Sequence, residues 1–96
     1  MPSVGNGLQL VLVEWVDSHA GRGWRSETEL RDGLLPLRCR SVGWLFAKTK
    51  DCLRIVPHIH AEENSPIVTQ GCGDMTIPRR SVIRMIVLPT PKAAAS

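Results

Sequence analysis

No apolar run in this sequence approaches the roughly 20 residues that a bilayer-spanning helix needs, so no membrane anchor of that kind is expected. There is no C-x-x-C pair, which argues against a zinc ribbon. The three cysteines, Cys39, Cys52 and Cys72, are odd in number and lack paired spacing, so reduced thiols are the simplest reading. No P-loop, dinucleotide fingerprint or metalloprotease motif occurs. Nor is there an evident nucleophile–base pair or paired-carboxylate constellation, so neither an enzyme nor a bound cofactor is expected. Tyrosine is absent and phenylalanine occurs once, leaving Trp15, Trp24 and Trp44 as most of the aromatic surface. Met1–Gly7 lack the basic start and apolar stretch of a signal peptide, and a cytoplasmic location is the default expectation.

What is present fits one small domain. Ninety-six residues bury a modest core, so association with further copies would be a natural aid to stability. The net charge of +3 permits contact with a polyanion without requiring it, because the cations are spread out. Their local groups are Arg22 with Arg25, Arg38 with Arg40, Lys48 with Lys50, and Arg79 with Arg80 and Arg84. The bland alternative for all of them is a solvated surface.

Residues 8–16 read as a strand with two largely apolar faces. Leu8, Leu10, Leu12, Glu14 and Val16 face one way, and Gln9, Val11, Val13 and Trp15 the other. Both faces therefore call for cover, by the fold or by a subunit contact. Residues 17–23 form a loop. Ser26-Glu27-Thr28-Glu29 matches a capping box, with Gly33 just past the helix end, so one short helix is expected over 27–32. Such a helix cannot stand alone, and Leu30, Leu34 and Leu35 should pack it onto the sheet. Strands are expected over 38–48 and 52–59, paired across the polar tip Lys48–Asp51. Residues 67–69 suggest a short strand before a turn at 71–74, which would leave Cys72 exposed, while Cys39 and Cys52 fall in the core. Extended chain follows at 75–77 and 81–88, broken by a corner at Pro78-Arg79-Arg80. The domain would span 8–88, between a flexible N-terminus (1–7) and a disordered tail (89–96).

About five strands and one helix imply a mainly β chain. The expected form is a small, strongly bent five-stranded antiparallel barrel with one short helix inserted between the first two strands. A barrel would remove exposed strand edges, and Gly43 would allow one strand to bend sharply. Arg79, Ser81, Ile83, Arg84, Ile86, Leu88 and Pro89 resemble the second motif of Sm-like proteins, and Gly43, Leu45, Leu53 and Ile55 resemble the first. The resemblance covers about half the chain and implies an Sm-like or SH3-type barrel. Three departures bear on function. Arg80 stands at the usual corner glycine, the base-holding Asp and Asn of that family have no match near Thr49–Leu53, and the usual leading helix is missing while a long, helix-containing insertion separates the first two strands. Trp15-x-Asp17-Ser18, Gly23-Trp24 and Ser41-Val42-Gly43-Trp44 also resemble small phage and prophage proteins, for which the location would be the host cytoplasm.

The candidate ligand-binding residues fall into two groups. Trp24 lies between Arg22 and Arg25, where an indole flanked by guanidinium groups could stack on a base or grip a phosphate-bearing ligand. Arg79, Arg80 and Arg84 form the second group. Trp15 and Trp44 are read as core or subunit contacts. His58 and His60 would share one strand face and are the only metal candidates, with Glu62, Glu63 or Cys72 as further ligands. A surface or core pair is the commoner use of such histidines, and no metal is expected. Asp17-Ser18-His19 contains triad residue types, but side chains of consecutive residues diverge, so a polar turn is the reading.

The expected function is a non-enzymatic binding or assembly module, of phage or prophage accessory type, that forms a homo-oligomer through barrel edge strands. One alternative is an Sm-like ring that binds RNA or DNA. Another is a small-nucleotide site built by Arg22, Trp24 and Arg25 between subunits.

Overall fold

A computed structural model describes residues 7–65 and 67–90. The expected flexible N-terminus up to residue 6, and the expected tail from residue 91, lie outside the described residues. The elements run β1 (Gln9–Asp17), α1 (Glu27–Asp32), β2 (Leu37–Lys48), β3 (Cys52–Val56), β4 (His58–Ala61), β5 (Val68–Cys72) and β6 (Met75–Pro78). A 3₁₀ turn (Arg79–Ser81) and β7 (Val82–Val87) complete the order. No helix among the described residues is long and apolar enough to cross a membrane.

Five strands form one antiparallel sheet in the order β6-β3-β2-β1-β7, and β4 and β5 pair separately as a hairpin. The chain is mainly β, as the alternating patterns imply. Among the described residues no closed barrel is found. β6 and β7 are the two edges of the sheet and do not pair with each other among the described residues. Pro78 ends β6 without an N–H to extend the ladder, and the 3₁₀ turn carries the chain to the opposite edge, beside β1. The strand expected over 52–59 is also divided. Pro57 separates β3 from β4, because proline cannot donate to a central ladder. Gly71 and Cys72, expected in a turn, belong to β5, and the chain reverses at Gly73, whose φ of 78° suits glycine.

The register explains the core. Val11 and Val13, both fully buried, lie opposite Gly43 and Ser41 on β2 and opposite Val87 and Met85 on β7. Leu45, Leu53, Ile55 and Ile77 complete this cluster from β2, β3 and β6, with Trp15 and Val82 packed against it. The Trp15 indole donates to Ser41 Oγ at 3.0 Å, satisfying its polar atom at the edge of the core. Gly43 is needed for close approach: a Cβ there would meet the Val56 backbone N and C at 3.2 Å. Each well-buried Val, Leu or Ile contributes about 1.5–3 kcal/mol, yet only seven hydrophobic residues are buried among the described residues. Cys39 and Cys52, expected in the core, are only half-buried, because they sit where the cluster gives way to solvent.

The segment joining β1 to β2 departs most from expectation. Leu30, Leu34 and Leu35 do not pack α1 onto the sheet; they are 62%, 80% and 78% exposed. No residue of α1 is buried. Polar contacts along its own backbone hold the helix. Ser26 and Glu29 form the reciprocal cap, and Glu27 pairs with Arg31 at 2.8 Å. Residues 18–36 thus form an exposed arm, whose two legs are tied where His19 Nε2 donates to the Leu35 carbonyl at 2.7 Å.

Candidate functional site

The sheet face opposite the core carries the largest organised set of polar and apolar groups. Alternation places Leu10, Leu12, Glu14 and Val16 of β1 on this far face. The register sets Arg40 and Arg84 on either side of Glu14, and Val42 and Ile86 on either side of Leu12. Trp44 lies beside Leu10, and Arg38 beside Val16. The face therefore combines an apolar band (Leu10, Leu12, Val42, Trp44 and Ile86) with a cationic end of three arginines around one carboxylate.

Glu14 is the anchor of that end. Its side chain is 15% exposed, and it accepts from Arg84 Nε at 3.1 Å and Nη2 at 2.7 Å. The Arg84 hydrogen bond holds the Glu14 carboxyl below its ordinary value, and the charges of Arg84, Arg40 and Arg38 act the same way, against opposing desolvation. A cleft of about 290 Å³ opens here, lined by Glu14, Arg38, Cys39, Arg40 and Ile83. Ile83 reaches it because the β1–β7 register slips between Glu14 and Trp15. Arg38 and Arg40 form no ion pair among the described residues, so the end is net cationic and its guanidinium donors are free for an anionic group. Reading Arg38 and Arg40 as a solvated pair missed this grouping. The available signal was their alternation in sequence with Val42 and Trp44, which gives them one strand face.

The residues singled out from the sequence are not brought together as one site. Arg84 belongs to the far face, but Arg79 is structural. Its backbone N–H donates to the Asp51 carbonyl at 2.8 Å and its Nε to the Thr49 carbonyl at 2.6 Å, clamping the β2–β3 turn. Arg80 is exposed beside it on the same turn. Trp24 is fully exposed on the arm, and Arg25 reaches Glu29 at 3.9 Å, so the Arg22–Trp24–Arg25 trio encloses no pocket within one chain. His58 and His60 are exposed on β4. His58 lies opposite Cys72, and His60 approaches Glu62 at 3.6 Å. Among the described residues, no group of three or more His, Cys, Asp or Glu side chains gathers to hold a metal.

A second, smaller cleft of about 200 Å³ lies where the β4–β5 hairpin leans on β3. Gly71 allows that approach, since a Cβ there would fall 2.8 Å from Val56 Cγ1. Phe46, Val56, Ile59 and Val68 line it, and Arg54, paired with Asp74 and bonded to Thr76, also borders it. With Arg54 already engaged, this cleft presents mainly apolar walls. Comparisons with protein-family models, with curated proteins and with solved structures give no match.

Proposed function

We propose that the protein is a non-enzymatic binding and assembly module that works as a homo-oligomer. The observation that carries this reading is the imbalance of apolar surface. Thirteen large hydrophobic side chains stay exposed among the described residues, against seven buried ones. Scattered exposed hydrophobics are ordinary. Here they concentrate on the arm (Trp24, Leu30, Leu34, Leu35), the far face (Val42, Ile86) and the edge strand β7 (Ile83, Met85, Val87). Both edges of the sheet, β6 and β7, also present unpaired backbone groups, which invite pairing with another chain. The order β6-β3-β2-β1-β7, with a 3₁₀ turn between the edge strands, supports an Sm-like or SH3-type barrel completed on association. A cytoplasmic accessory role of phage or prophage type accords with the sequence resemblance. Thermal melting followed over a roughly hundred-fold dilution tests the reading, because an assembly that stabilises the fold makes the midpoint depend on concentration. A midpoint unchanged by dilution contradicts it.

Arg38, Arg40 and Arg84 on one face favour a second reading, in which that face binds RNA or DNA. Affinity for a fluorescent single-stranded oligonucleotide would then fall steeply with salt, as phosphate contacts release counterions. Absence of binding at low salt removes this reading.

A further inference from the structure

We infer that the edge strand β7 pairs antiparallel with β7 of a second copy of this chain, about a two-fold axis at Ile86. The inference rests on the homo-oligomer reading and names its interface. In an antiparallel ladder, alternate residues direct their N–H and C=O groups toward the same neighbour. The Leu88 N–H donates to the Leu10 carbonyl at 2.8 Å, so Leu88 faces β1. Ile86 and Arg84, opposite Leu12 and Glu14, therefore face β1 as well. Met85 and Val87 turn their backbone groups outward, away from the sheet. This outward row is bounded at both ends. The register slip leaves Ile83 without a partner on β1 and ends the regular alternation there. At the other end, Pro89 has no N–H to offer.

The outward row is symmetric about Ile86, which makes a second β7 its matching strand and gives a closed two-fold interface. With Ile86 opposite Ile86, Met85 of each copy lies opposite Val87 of the other, and each outward N–H meets an outward C=O. The side chains agree with this register. On the core face, Val87 and Met85 lie beside the fully buried Val11 and Val13 but are themselves 53% and 36% exposed. Pairing sets Met85 of one copy against Val87 of the other and covers both. On the far face, Val42, Leu12 and Ile86 form one apolar row, which the two-fold axis continues into the same row of the second copy. Charge does not oppose the contact. Arg84, the one charged residue of β7, is paired with Glu14 at 2.7 Å and falls opposite Leu88 rather than itself. The other edge of the sheet is a poorer template. The Arg79 N–H faces β3, so the outward residues of β6 are Thr76 and Pro78. Pro78 has no N–H, and β6 thus offers the Thr76 donor alone.

Cysteine cross-linking and light scattering test this pairing. In an antiparallel pair that exchanges no hydrogen bonds, as Ile86 with Ile86 would be, the Cα atoms lie about 4.5 Å apart, within disulfide range. Ile86→Cys, in a chain with Cys39, Cys52 and Cys72 changed to Ser, should therefore oxidise readily to a covalent dimer. Arg80→Cys in the same background, exposed on the turn before β7, should not. Val87→Pro removes an outward donor from each copy and no hydrogen bond within the chain. It should stay folded by circular dichroism and associate at least about tenfold more weakly than the wild type. If that variant fails to fold, Met85→Lys with Val87→Lys lines the edge with charge and should weaken association by as much. An oligomeric wild type whose Ile86→Cys form cross-links no faster than Arg80→Cys, or whose folded edge variants keep the wild-type mass, overturns the β7 pairing. The homo-oligomer reading then still stands. A wild type that is monomeric at every concentration overturns both, and leaves the edge to a strand of another protein.

Discussion

Ile55→Ala is the sharpest probe of the core. Ile55 lies on β3, in the middle of the small cluster, 2% exposed and paired with Leu45 on β2 and Met75 on β6. Truncation removes three carbons, worth about 0.8 kcal/mol each in transfer alone, and a partly collapsed cavity brings the expected loss to about 2–5 kcal/mol. A chain of this length has a total stability of about 5–14 kcal/mol on a per-residue scale, and so few buried side chains argue for the lower end. The variant should thus lose a third or more of its stability. Urea unfolding followed by the fluorescence of Trp15 and Trp44 reads this directly, because a slope of about 1 kcal/mol/M for a small protein turns the loss into a midpoint shift of about 2 M or more. Both proteins are compared at one concentration, so that association does not enter the difference. A loss under about 1 kcal/mol would refute the assignment of this cluster as the core.

Three other outcomes follow from named contacts. Arg79→Ala releases the Thr49 carbonyl from the β2–β3 turn and should cost about 1 kcal/mol, or about 4–8 °C of melting temperature. Arg80→Ala should stay within about 0.5 kcal/mol, and equal effects would contradict the clamp. Gly43→Ala forces a Cβ against the Val56 backbone at 3.2 Å and should cost about 1–3 kcal/mol by overpacking; a stabilised variant would show that the strand yields freely. The Glu14 carboxyl is held below its ordinary value of 4.5 in the folded chain, chiefly by the Arg84 hydrogen bond. Its pairing therefore contributes fully above that pH and is lost as pH falls through the lower folded value. The stability gap between wild type and Arg84→Gln should accordingly shrink between pH 7 and pH 3, and a gap that widens on acidification would contradict the pairing.

Much of the strand pattern was legible in the sequence because short-range rules govern it. The alternation from Gln9 to Val16 gave β1 and its two faces, and the polar tip at Lys48–Asp51 gave the β2–β3 pairing. The corner at Arg79 was legible too, through Pro78. What escaped were consequences of long-range placement. Pro57 looked compatible with a continuous strand until the pairing of β4 with β5 showed that the ladder must end there. Arg79 offered the same guanidinium as Arg38 in sequence. Only the approach of the 3₁₀ turn to Thr49 commits the first, and only the β2–β1–β7 register assembles the second with Glu14 and Arg84. The leucines of the arm were misplaced for a related reason. Apolar residues announce that they need cover, but not whether their own chain or another provides it.

The solution mass of the wild-type chain, measured by light scattering at micromolar concentration, tests the central claim most directly. The account predicts at least twice the chain mass of 10.6 kDa, falling toward the single-chain value on dilution. A mass of 10.6 kDa at every concentration would contradict it, leaving the exposed apolar surface without the second copy proposed to cover it.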